Sequence, residues 1–156
     1  MKRKQIRQQF EGVLKKHGIA FRVEDDRMKS LTRIVMLFPC LPPGVGAPEL
    51  MIYRRYLVLD LLGWKLYEKN AGEHDEAGIQ IAGVFNAFLE KNLKIKIFYR
   101  KEKPKGLQVY RFIQGRWNFY GKTRMPFFFK KRHQHYRVLE WNIEDLMNQS
   151  REKTPC

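Results

Sequence analysis

The chain has 156 residues, of which 31 are Lys or Arg and 16 Asp or Glu, giving a formal net charge of +15 and a pI of about 10.0. With 44% hydrophobic and 13% aromatic residues it is too apolar for a disordered polycation. The length suits a single domain spanning 1–156, since domains commonly hold roughly 100–150 residues. The charge points to a polyanionic partner, nucleic acid first and an anionic membrane surface second. Only Cys40 and Cys156 are present, so neither a disulfide framework nor cysteine metal ligation is expected, and a reducing, cytoplasmic location fits. The basic start MKRKQIRQQF is not followed by an apolar stretch, and no run approaches the ~18 apolar residues of a membrane span. No membrane association is expected.

In chain order, Ile6, Phe10, Val13, Leu14 and His17 recur at helical spacing and end at Gly18, a favourable C-cap. IAFRV (19–23) reads as a strand, Glu24–Asp26 as a turn and LTRIVMLF (31–38) as a second strand. Four prolines and two glycines forbid regular structure over 39–48. Residues 50–62 are apolar apart from the Arg54–Arg55 break and suit two short paired strands, with a helix as the competing reading. Ile81, Val84, Phe85, Phe88 and Leu89 then mark a helix, and LKIKIFY (93–99) alternates as a strand. The order of elements implies an α/β core over 1–100.

From Lys101 to Arg137 the composition changes, with eleven Lys or Arg and one acid, Glu102, interleaved with nine aromatic rings. GLQVYRF and RWNFYGK read as a hairpin about Gln114–Gly115, and HYRVLEW as a strand before a short helix capped by Asn142. Residues 101–156 therefore form a basic, aromatic-rich β extension. Arg116, Trp117, Tyr120, Lys122, Arg124, Lys130, Lys131 and Arg132 are the candidate nucleic-acid contacts, cations tracking phosphates and rings stacking on bases. His133 and His135 alternate onto one strand face, and phosphate or base contacts are preferred to zinc because no further ligand is near in sequence.

The stretch APELMIYRRYLVLDLLGWK (47–65) places Glu49 at the entry of one strand and Asp60 late in the next. Two carboxylates so placed can hold a hard cation beside a scissile phosphate, with a lysine near the attacking water. On Gly46-Ala47-Pro48-Glu49-Leu50, Asp60-Leu61-Leu62 and Gln80 near the start of the next helix, residues 6–99 resemble the PD-(D/E)xK nuclease superfamily, nearest to its virus-type replication–repair and junction-resolvase branches. The resemblance implies a restriction-endonuclease-like core of helix, mixed sheet and helix. It also implies Mg²⁺ or Mn²⁺ on Glu49 and Asp60, Glu11 assisting from the opening helix, and a homodimer or larger symmetric oligomer. The motif lysine falls on Leu62, so Lys65, or failing it Lys69, is expected to supply the cation.

Two functions follow as expectations. One is a DNA-binding, Mg-dependent endonuclease of junction, flap, homing or restriction type, with Glu11, Glu49, Asp60 and Lys65 as its catalytic set and DNA preferred to RNA. The other is a non-catalytic nucleic-acid-binding module on a degenerate nuclease fold, which Leu62 favours; an RNA-associated structural protein is a third reading.

Overall fold

The structure, a computed structural model, describes residues 3–69, 79–122 and 136–148. Its described elements run α1 (Arg3–Lys16), β1 (Phe21–Asp26), β2 (Leu31–Met36), β3 (Glu49–Ile52), β4 (Tyr56–Leu61), β5 (Trp64–Lys69), α2 (Ile79–Leu89), β6 (Leu93–Arg100), β7 (Lys103–Ile113), β8 (Arg116–Lys122), β9 (Arg137–Trp141) and α3 (Ile143–Met147). The protein is thus an α/β chain with two antiparallel sheets, one ordered β1-β2-β3-β4-β5 and the other β8-β7-β6-β9. The chain divides into two compact units, Met1–Phe38 with Ala47–Phe85, and Pro39–Gly46 with Asn86–Cys156, the division falling inside α2.

In the first unit, α1 buries Ile6, Phe10 and Leu14. Gly18, at φ +69°, ends it by letting its own N–H reach Lys15 and the Ile19 N–H reach Leu14, a Schellman closure that only a left-handed residue permits. The helix lies against β3, and Phe10 meets Phe85 of α2 with ring centroids 5.1 Å apart. Alternation divides the sheet cleanly. Ile34, Leu50 and Leu59 share one cross-strand row and are fully buried, while Glu49, Asp60 and Lys65 share a row on the other face.

Three expectations need correction here. Glu24–Asp26 is strand, not turn: Asp25 accepts from the Thr32 hydroxyl, Glu24 pairs with Arg22, and the turn moves to Arg27–Ser30, where Asp26 Oδ1 takes the Met28 and Lys29 N–H groups. A fifth strand, β5, follows β4 through the two-residue turn Leu62–Gly63. Finally, every pairing among the described strands is antiparallel rather than mixed. Two-residue links such as Leu62–Gly63 and Gln114–Gly115 can only return the chain alongside itself.

The second unit is a four-stranded sheet whose buried face carries Leu93, Ile95, Ile97, Leu107, Val109 and Trp141. The β7–β8 hairpin turns at Gln114 (φ +53°) and Gly115 (φ +79°), the signature of a type I′ turn. Asn142 caps α3 in a full capping box with Asp145, at 3.1 and 2.9 Å. Cys40 is buried and disulfide-bonded. No helix among the described residues is long and apolar enough to cross a membrane.

Candidate nucleic-acid interface and the acidic row

The acidic row is built by register. Glu49 on β3 stands directly opposite Asp60 on β4, and Asp60 directly opposite Lys65 on β5. Sequence spacing therefore brought three of the four expected catalytic residues side by side. The fourth is elsewhere. Glu11 pairs with Arg7 one helical turn away, and Arg7 reaches Asp25, whose cross-strand partner Thr32 lies in the buried-face row with Ile52. Glu11 thus belongs to the face opposite Glu49 and Asp60.

Both acids in the row are engaged. Arg33 on β2 donates from Nε to Glu49 Oε2 at 3.1 Å, with a second donation from its terminal nitrogen, and also lies 3.8 Å from Glu24. The hydrogen bond it donates to Glu49 raises the Arg33 guanidinium above its ordinary value, offset in part by burial. Asp60 Oδ1 accepts the Gly63 N–H at 2.9 Å, fixing the β4–β5 turn. Burial raises the Asp60 carboxyl above its ordinary value and Glu49 adds to the rise, while the Gly63 N–H and Lys65 pull it down. No three His, Cys, Asp or Glu side chains among the described residues converge into a metal-ligating group.

Leu62, the position of the motif lysine, is not in the strand. It is the first turn residue, at φ +56°, and is 1% exposed. A left-handed leucine carries about 1 kcal/mol of backbone strain, which burial of its side chain offsets. Lys65 follows on β5 and is exposed; Lys69, at the far end of β5, pairs with Tyr56 rather than with the acids. Gln80 lies in the first turn of α2, its side chain outside the described part.

The outward face of the second sheet has a different character. Lys94 on β6 stands opposite Tyr110 on β7, which stands opposite Phe119 on β8; Phe112 stands opposite Trp117, and Lys96 and Lys122 both flank Gln108. All lie on one face. Phe112, Trp117 and Phe119 are 41%, 38% and 56% exposed. The Phe112 and Trp117 rings are 5.3 Å apart and the Tyr110 and Phe119 rings meet edge-on at 5.8 Å. Lysine ammonium groups lie over these rings, Lys94 at 4.4 Å from Trp117 and Lys96 at 5.0 Å from Tyr110. The acid bordering this face is Glu140, 3.4 Å from Lys96.

Of the expected nucleic-acid residues, Trp117 and Lys122 fall on this face. Arg116 and Tyr120 do not. Arg116 alternates away from Trp117, and Tyr120, the extra residue at the bulge opposite Val109–Tyr110, lies beneath the Arg111 guanidinium at 5.5 Å on the reverse side. Arg124, Lys130, Lys131, Arg132, His133 and His135 lie outside the described residues. Lys94, Lys96, Tyr110, Phe112 and Phe119 were missed as site residues. The signal was present in LKIKI, where lysines at every second position between buried residues must share the outward face. No family model, curated protein or solved structure matches the chain.

Proposed function

We propose that the protein binds nucleic acid through the outward face of β6, β7 and β8. One observation carries this: three large exposed rings and three lysines share a single sheet face. Exposed aromatic surface is costly to leave in water, and Lys94, which neighbours the Tyr110 and Trp117 rings, offers a cation to an incoming counter-charge, whereas Lys96 already pairs with Glu140 across to β9. Phosphates supply that charge and bases supply the flat partners. The net charge of +15 acts in the same direction by raising the local concentration of a polyanion. The test is fluorescence anisotropy of a labelled mixed-sequence oligonucleotide against wild type and Lys94→Glu/Lys96→Glu at low salt. Binding that the double variant abolishes supports the reading; equal binding by both proteins removes it.

Metal-dependent phosphodiester cleavage is a second reading, favoured by the Glu49–Asp60–Lys65 register. A magnesium ion held by two carboxylates, with its other positions filled by water and phosphate, matches that donor number. The donors as they stand fit it poorly, because one oxygen of Glu49 is committed to Arg33 and one of Asp60 to the Gly63 N–H. Cleavage of labelled DNA that needs Mg²⁺ or Mn²⁺ and is lost in Asp60→Ala would establish this reading. Absence of cleavage with binding intact leaves the non-catalytic module.

A further inference from the structure

We infer that the ligand of the β6–β7–β8 face is a single-stranded nucleic acid whose consecutive bases are unstacked from each other, one on each ring row. This rests on the nucleic-acid reading above and specifies its substrate class. The two rows, Tyr110 with Phe119 and Phe112 with Trp117, are two residues apart along β7, which is about 6.8 Å on an extended strand. Neighbouring bases of a duplex strand rise by only ~3.4 Å. Bases stacked on successive ring rows are therefore spread to twice the duplex spacing, which an unpaired strand adopts without the unstacking and kinking that opening a duplex step costs.

A duplex also hides what the rings need. Its base faces are buried in the stack, so it offers phosphates and groove edges to a protein, whereas splayed single strands present whole base faces. Lys94 is level with the Tyr110–Phe119 row, and Lys96 and Lys122 flank Gln108 one two-residue step away on the side opposite the Phe112–Trp117 row, so the cations continue the track beyond the rings. In the free protein the Lys94 ammonium covers the Trp117 ring at 4.4 Å. A bound nucleotide exchanges both partners at once, the base taking the ring and a phosphate taking the ammonium. That exchange makes the face read base and backbone together rather than either alone.

The test uses the full chain and three labelled probes followed by anisotropy: an oligothymidylate, an abasic oligomer of the same length, and a duplex. The oligothymidylate is expected to bind about 30-fold or more tightly than the abasic strand, the sum of two stacked bases, and more tightly than the duplex. Phe119→Ala, at a ring 56% exposed, is expected to weaken oligothymidylate binding about 10-fold, with abasic binding unchanged and Phe119→Trp restoring the loss. Duplex binding as tight as the single strand, or equal affinity for abasic and oligothymidylate probes, overturns the single-strand inference while the nucleic-acid reading stands. Failure of all three probes to bind removes both, and leaves the rings as a protein-docking surface.

Discussion

The acidic row on β3–β5 and the ring face on β6–β8 are both outward faces of antiparallel sheets, and both concentrate charged residues. They differ in what neighbours the charge. In the first, Arg33 sits between Glu24 and Glu49, and Asp60 holds a turn N–H while facing Lys65. In the second, Lys94 lies over the Tyr110 and Trp117 rings, and Lys96 lies over Tyr110 while pairing with Glu140 on β9. A charge whose partner is on the next strand contributes to holding the strands in register. Lys94, whose neighbours are rings, is the charge that the proposed ligand would meet.

The sharpest way to break this contrast is to restore the motif lysine. Leu62→Lys places an ammonium in a site 1% exposed and removes a buried side chain, so it should destabilise the fold by about 3 kcal/mol or more in urea unfolding and create no nuclease activity. A stable, metal-dependent nuclease from this variant would make the row a retired active site. Next in size, Arg33→Ala strands Glu49, which is 15% exposed, without its partner. Stability should fall by about 1–2 kcal/mol, with oligonucleotide affinity nearly unchanged. On the other face the pattern reverses. Lys94→Ala/Lys96→Ala should leave unfolding midpoints close to wild type but reduce the slope of log affinity against log salt by about 0.7 for each cation.

The smallest effect is the pH dependence of Asp60. Burial raises its carboxyl in the folded state, so folding takes up a proton there. The stability this contributes is full below the unfolded carboxyl range and is lost as pH rises through the higher folded value. Asp60→Asn keeps an oxygen for the Gly63 N–H and removes the charge, so its stability relative to wild type should improve from acid to neutral pH in urea titrations. A wild type that instead gains stability over that interval would mean that Asp60 has a strong cationic partner when ionised.

Much of the architecture was legible because local chemistry and tertiary packing agreed. Gly18 ends α1, Gln114–Gly115 turns the β7–β8 hairpin and Asn142 caps α3, each at the position where sequence places it. The hidden element was β5, because its turn begins with a leucine at positive φ, where turn chemistry favours Asn, Asp or Gly. Glu24–Asp26 misled for the opposite reason: acids that resemble a turn are held in a strand by Arg22 on the same strand and by Arg33 and Thr32 on β2, partners that only the register supplies. The neighbourhood of Glu49, Asp60 and Lys65 could be read from hairpin spacing. Their engagement could not, since Arg33 reaches Glu49 from a strand sixteen residues earlier in the chain. For the ring face, Trp117 and Lys122 were visible in composition, but choosing among the other residues required knowing which side of β6 and β7 faces outward.

The most direct measurement is photocrosslinking of a single-stranded oligonucleotide carrying halogenated uracil, followed by mass spectrometry of the adducted peptides. Adducts are expected on Tyr110, Phe112, Trp117 and Phe119, suppressed by unlabelled competitor. Adducts confined to β1–β5, around Tyr53, Tyr56 or Tyr67, would place the nucleic acid on the first sheet and contradict the proposed interface.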